Sequence, residues 1–488
     1  MTELLGRRAR LTTFTDAAAL RDAFVRDLAA CCRFPSISSD RRHKGDVEAC
    51  AAWLAHRYSV SPFHDVAVEP TGGHPLVVAR SRRRRGYPHV LLYGHYDVQP
   101  VTPLAAWRSP PFELRVRDRK LLARGASDDK GQLLTHLYAV EALSRTASMP
   151  VDVTVVLDGE EEIGSPNLRK WLARNRNNLD CEVAVISDTR MPTPEQPALT
   201  VGLRGSVSAR IVVSGPPTDL HAGTFGGAIH NPIHALADLV ASLHDRDGRI
   251  RIDGFYDDVV EPASWDRTRA RAPDDESIRR ASGVLRLWGE DGFSAFERTT
   301  IRPALNVTGI SGGHVGPGHR SAIPALARAV ANMRLVPEQD PVRIAGLLRD
   351  FVARETPPTV AAKVTTLTAS RPARAPIDHP AVSLAAAALS RVFGRRPQLL
   401  RSGGTIAAIP MIEEELAATP VLMGFGLFDD NTHAANEHAD LPTLLRGIEA
   451  VAVFLAELGS RSPRTGHYNA IRLRPAPDPS RASPGAAS

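Results

Sequence analysis

The stretch VLLYGHYD, Val90 to Asp97, decides the fold. An unbroken apolar run that ends in a histidine and an aspartate reads as a strand buried on both faces, with chemistry at its carboxyl end. Two more segments repeat that pattern: VDVTVVLDGEEE (151–162) and CEVAVISD (181–188). Between the first two lies GQLLTHLYAVEALSR (131–145), where Leu133, Leu137, Val140 and Leu143 recur at helical spacing. Strands alternating with helices predict an α/β fold: a mixed, mostly parallel sheet flanked by helices. Ligands gather at the carboxyl ends of such strands. His95, Asp97, Glu161, Glu162 and Asp188 all fall there.

The pattern changes at Ser206. Val207, Ala209, Ile211 and Val213 alternate, as in a strand with one wet face. Asn231-Pro232 opens a helix, because Asn caps well and Pro suits the first helical position. After a long polar connection come strands near 305–310 and 327–335, a helix near 342–351 and a strand near 361–367. That order, β-α-β-β-α-β, predicts a ferredoxin-like α+β domain. Past Pro380 an Ala-rich helix and the apolar VLMGFG (421–426) restore the first pattern. The expected organisation is a catalytic domain in two parts, 1–204 and 381–459, interrupted by an inserted domain, 205–380. The segment 460–488, without periodicity, is expected to be a disordered tail.

Composition narrows the classes. The 488 residues are 43% hydrophobic and 23% charged, as in a folded, water-soluble protein. Much of the net charge of +6 comes from the tail, whose five arginines face one aspartate. No basic stripe interleaved with aromatics exists to suggest nucleic acid. No apolar run approaches a membrane span and the amino-terminal segment lacks the apolar core of a signal peptide, so a cytoplasmic location is expected. Cys31, Cys32, Cys50 and Cys181 form no CxxC pair, which argues against a thiolate zinc site.

Five polar segments remain: GHYDVQP (94–100), GASDDKGQ (125–132), DGEEEIGS (158–165), ISDTR (186–190) and DDNTHAANEHADL (429–441). Each alone has a bland reading, such as a polar strand end, a helix cap or a solvated acidic turn. Their convergence on the ends of one sheet suggests more. His95 and Asp97, two apart on an extended segment, share a face, so Asp97 is placed to hold the ring of a ligating His95. Adjacent glutamates on one turn suit a metal ligand beside a base for water.

In this order the segments resemble the metallohydrolase family of acetylornithine deacetylase, succinyl-diaminopimelate desuccinylase, aminoacylase and the carnosinase-like cytosolic dipeptidases. The last branch is closest, through GHYDVQP, SDDKGQ, EEIGS, DLHAGTFGG, ANMRLVP, GGT and THAANE. The resemblance implies two divalent metal ions bridged by Asp128. His95 and Asp188 complete one site, Glu162 and His433 the other. Glu161 becomes the general base for the water between the ions, with Asp97 orienting His95. The inserted domain becomes a lid and dimerisation module. His221 becomes an oxyanion-stabilising residue that acts in the partner's site of a homodimer. Arg334, Gly404 and Thr405 become the grip on the substrate carboxylate, where an arginine fork suits a planar anion. Histidine and carboxylate donors without thiolate suit zinc, with manganese the alternative. The expected substrate is a small peptide, in particular a dipeptide; an N-acyl amino acid is the alternative. Ser402 stands where the dipeptidase branch often has an acidic residue.

Two rival readings are a serine hydrolase, from GISGG (309–313), and an inactive dimeric binding protein. The first needs a strand-to-helix elbow, which the following HVGPGH disfavours. The presence of both Glu161 and Glu162 argues against the second.

Overall fold

The structure, a computed structural model, describes residues 17–146, 149–260 and 274–461. Most of the expected tail therefore lies outside the described residues.

The run Val90–Tyr93 is buried within strand His89–His95, at the centre of a nine-stranded sheet. Its neighbours Asp152–Asp158 and Val183–Ile186 run parallel to it, and Thr419–Leu422 continues the parallel set. The flanks are antiparallel: Leu76–Arg80 and Asp65–Glu69 on one side, Ala373–Arg374 beyond Ala198–Leu203 on the other. Strand Gln398–Ser402 pairs in parallel with Ala198–Leu203. The sheet is thus mixed, with its parallel pairing concentrated in the middle.

Alternation along each strand sends side chains into two cores. Val90, Leu92, Val153 and Val155 join helices Ala17–Cys32, Lys44–Ser59, Lys130–Thr146, Pro380–Phe393 and Leu441–Arg461 on one face. Leu91, Tyr93 and Val156 join helices Leu168–Leu179 and Ala408–Leu416 on the other. Burial on both faces explains why these strands read as continuous apolar runs.

A four-stranded antiparallel sheet follows in sequence. Its strands Gly205–Ser214, Ala304–Gly312, Leu326–Leu335 and Ala361–Ser370 lie in the spatial order second, third, first, fourth. Helices Pro232–Ser242 and Pro341–Glu355 cover one face, against Val207, Ala209, Ile211 and Val213. Asn231 caps the first of these helices, its side chain accepting from Ile233 N at 2.9 Å. This is the ferredoxin-like pattern, and the chain returns from it to the large sheet. At Gly205 an added Cβ would lie 2.6 Å from Ser370 O and Pro372 N, so only glycine lets the two crossings pass backbone to backbone.

GISGG does not form an elbow. Ser311 sits within strand Ala304–Gly312, opposite Arg328, and no helix follows directly.

Candidate active site

The central parallel strands end at one edge, and that edge gathers the polar segments. His95 ends its strand, fully buried. Its Nε2 lies 3.0 Å from Asp128 Oδ1 and 3.9 Å from Asp188 Oδ2. Asp128 precedes helix Lys130–Thr146, which packs close to the strand end. A Cβ on Gly94 would lie 2.9 Å from Asp129 Oδ2 and from Leu133 Cβ. The other oxygen of Asp128 lies 2.9 Å from His433 Nε2, which is itself 3.3 Å from Glu162 Oε2. Two groups result, His95–Asp128–Asp188 and Asp128–Glu162–His433, with the donor atoms of each within 4.8 Å of one another. They share Asp128, one oxygen to each.

The surroundings hold these donors in place. His95 Nδ1 lies 3.1 Å from the carbonyl of Asp97 and 3.4 Å from its carboxylate. The backbone of Asp97 is therefore the nearer partner. Its carboxylate accepts from the backbone N–H of Glu161 and of Glu162, both at 3.1 Å, and so positions the acidic turn. Gln99 donates to Glu162 at 2.7 Å. Glu437, fully buried, accepts from Arg124, Gly125 N, Ser127 N and Asp128 N at 2.7–3.1 Å and fixes the loop that carries Asp128. His433 has a left-handed backbone, φ 63°, uncommon for a residue other than glycine. Nearby Asp430 anchors that loop by accepting from Ser127 Oγ at 2.6 Å and Leu427 N at 2.8 Å.

Charge is concentrated here beyond what the protein alone balances. Burial pushes the Asp188 carboxyl up to about 7, with Asp128 adding to the effect. Burial also raises Glu161 and Glu162 well above the usual carboxylate range. Asp188 and Glu162 add to the first, Asp128 to the second. For Asp128 burial opposes ionisation, yet hydrogen bonds from His433 and His95 hold it well below that range. Crowded carboxylates with histidine nitrogens and no sulfur make a donor set that fits divalent cations. A third group, Asp429, Asp430 and His438, already has a cation: Lys120 Nζ lies 2.7 Å from His438 and 3.2 Å from Asp429.

A cavity of about 260 Å³ opens over the two groups, lined by Asp128, Glu161, Asp188 and His433 on one side. Arg334, Gly404 and Thr405 line the other. Arg334 donates to Thr405 Oγ1 at 2.9 Å, and Thr405 donates to Arg204 O at 2.6 Å.

The sequence profile of peptidase family M20/M25/M40 matches residues 91–457. The chain belongs to this family. It is an enzyme of metal-dependent peptide-bond hydrolysis. The Cys-Gly metallodipeptidase dug1 of Schizosaccharomyces pombe is 29% identical over 464 residues, covering 91% of this chain and 97% of that protein. The Beta-Ala-His dipeptidase of Homo sapiens is 30% identical over 378 residues, 76% of this chain and 74% of that one. Among solved structures, human carnosine dipeptidase 1 superposes with a TM-score of 0.82 at 27% identity, covering 93% of this chain and 99% of that one.

Within this family member one expected residue stands apart. His221 is exposed, lies outside the cavity lining, and caps its own short helix by accepting from Thr224 N at 3.1 Å. Sequence reasoning passed over the roles of Gln99 and Glu437. Gln99 and Glu437 lay inside quoted motifs, GHYDVQP and THAANE, without an assigned task. Among the described residues no helix is long and apolar enough to cross a membrane.

Proposed function

We propose that this enzyme is a dipeptidase that uses two divalent metal ions, zinc or manganese, held by His95, Asp128, Glu162, Asp188 and His433. The observation that carries this is Asp128 giving one oxygen to each of two donor groups. When bound, such ions acidify a water between them and polarise the scissile carbonyl. Glu161 lines the same cavity without belonging to either donor group. In this reading it takes the proton from the attacking water and delivers it to the leaving amine. Arg334, Gly404 and Thr405 hold the substrate's terminal carboxylate. His221 stabilises the oxyanion in the partner's site of a homodimer; its exposure and its place outside its own cavity's lining support this.

The dipeptidase names of the relatives support the substrate class. One observation favours a second reading, an N-acyl amino acid deacylase. Among the described residues the carboxylates lining the cavity are Asp128, Glu161 and Asp188, so none of those residues outside the proposed ligands and base is offered to a free amine. A panel of dipeptides and N-acyl amino acids separates the two, run on stripped protein and again with zinc or manganese restored. Dipeptides turning over faster by kcat/KM supports the first reading; acyl substrates turning over faster replaces it.

A further inference from the structure

Arg190, Ser402 and Gly404 line two cavities at once: the catalytic one and an adjoining one of about 320 Å³. The second cavity has apolar walls, including Phe296, Leu400 and Phe428. Among the described residues its charged lining is all cationic, Arg190, Arg204 and Arg401, with no carboxylate. Arg204 is committed to the carbonyls of Gly403, Arg298 and Arg302. Arg190 is different. Its backbone is fixed by parallel pairing of Arg190–Met191 with Gly426–Leu427, while its side chain is exposed. The guanidinium donates to the neutral Thr432 Oγ1 and, among the described residues, enters no ion pair.

The substrate's terminal carboxylate, on the reading above, sits at Arg334, Gly404 and Thr405. The side chain of that residue leaves the same carbon, beside the wall that Gly404 and Ser402 share with the second cavity. Arg190 stands in that wall. We propose that Arg190 is a specificity residue that binds a second carboxylate, on the side chain of the substrate's C-terminal residue. Preferred substrates then end in glutamate or aspartate, whose carboxylate meets a planar, permanently charged fork. The apolar walls accommodate the methylenes. This assignment rests on the proposed placement of the terminal carboxylate.

The test compares Ala-Glu with its neutral isostere Ala-Gln, and an N-acyl glutamate with the matching N-acyl glutamine, in wild type, Arg190→Gln and Arg190→Lys. The charge-assisted pair predicts a wild-type preference of about tenfold or more in kcat/KM for the acidic member. Arg190→Gln is expected to bring that ratio to about one, and Arg190→Lys to keep part of it. Calorimetric titration of metal-loaded protein with glutamate and glutamine, the two leaving products, reads the same preference without turnover. Equal handling of glutamate and glutamine by wild type, or a preference that survives Arg190→Gln, overturns the assignment and leaves the dipeptidase reading untouched. Hydrolysis of the acyl pair alone, with the glutamate preference intact, sinks the dipeptidase reading and leaves Arg190 in place.

Discussion

Glu161 and Glu162 are neighbours in sequence with different surroundings. Glu162 lies near His433 and accepts from Gln99; Glu161 faces the cavity and stands outside both donor groups. Removing charge from Glu161 should therefore spare metal binding and stop proton transfer. Glu161→Gln is expected to keep wild-type metal content by elemental analysis and to lose kcat by about 10²–10⁴-fold. Near-normal turnover removes Glu161 from the base role. Most of the residues that meet at this site were legible in the sequence because they follow an apolar strand or precede a helix; His433 lies in the loop between Leu427 and His438. Glu437 was not legible. It acts through backbone N–H groups more than 300 residues earlier in the chain, and no local pattern reports such contacts. Arg190 was hidden for another reason: its meaning comes from the wall it shares between two cavities.

Among the elements, the Asp128 loop and helix Lys130–Thr146 depend on buried polar groups. The Arg124–Glu437 pair is almost wholly buried, at 2.7 Å. Glu437→Gln leaves the guanidinium without its countercharge, a loss of about 3–5 kcal/mol. Urea denaturation should show that loss, and metal affinity should fall with it, because an amide has one oxygen to accept with where the carboxylate used one for Arg124 and Gly125 N and the other for Ser127 N and Asp128 N; an unchanged midpoint contradicts this. Helix Lys130–Thr146 also carries His136, buried, with Nε2 2.7 Å from Ser187 Oγ. Burial pushes His136 down to about 4. Burial, aided by Arg83, does the same to His89. An unfolded histidine takes up its proton near pH 6.5, whereas these folded ones wait until about 4. The unfolded chain thus binds more protons in that window. Stability is complete above about pH 6.5 and declines toward 4, by at most about 1.4 kcal/mol per pH unit for each histidine. His136→Gln should flatten the slope of stability against pH; an unaltered slope assigns the acid sensitivity elsewhere. The helix was legible from Leu133, Leu137, Val140 and Leu143, all of which are buried. The antiparallel flanks of the large sheet were not, since an apolar run fixes burial but says nothing of strand direction.

For the whole molecule, the edge of the large sheet and its loops present the donors, the four-stranded sheet supplies Arg334 at a strand end, and His221, outside the cavity lining, comes from a separate pairing of Leu220–His221 with Ala322–Ile323. The β-α-β-β-α-β order was legible because strands Gly205–Ser214 and Leu326–Leu335 alternate cleanly between a buried and a wetter face, while its helices carry caps. Whether His221 reaches another subunit is a question no single chain encodes. The homodimer reading predicts complementation. His221→Ala and Glu161→Gln proteins, each nearly inactive, should regain roughly a quarter of wild-type activity when unfolded together and refolded, because mixed dimers hold one intact site. A mixture no more active than its parts rules out action in the partner's site.

The central claim is hydrolysis that depends on two metal ions sharing Asp128. Its most direct test is a metal titration of stripped protein while dipeptide turnover is followed. The account predicts no turnover when stripped, full recovery only near two equivalents per chain, and loss of both equivalents in Asp128→Ala. Turnover that survives complete stripping, or full recovery at one equivalent with Asp128→Ala still binding metal normally, contradicts it.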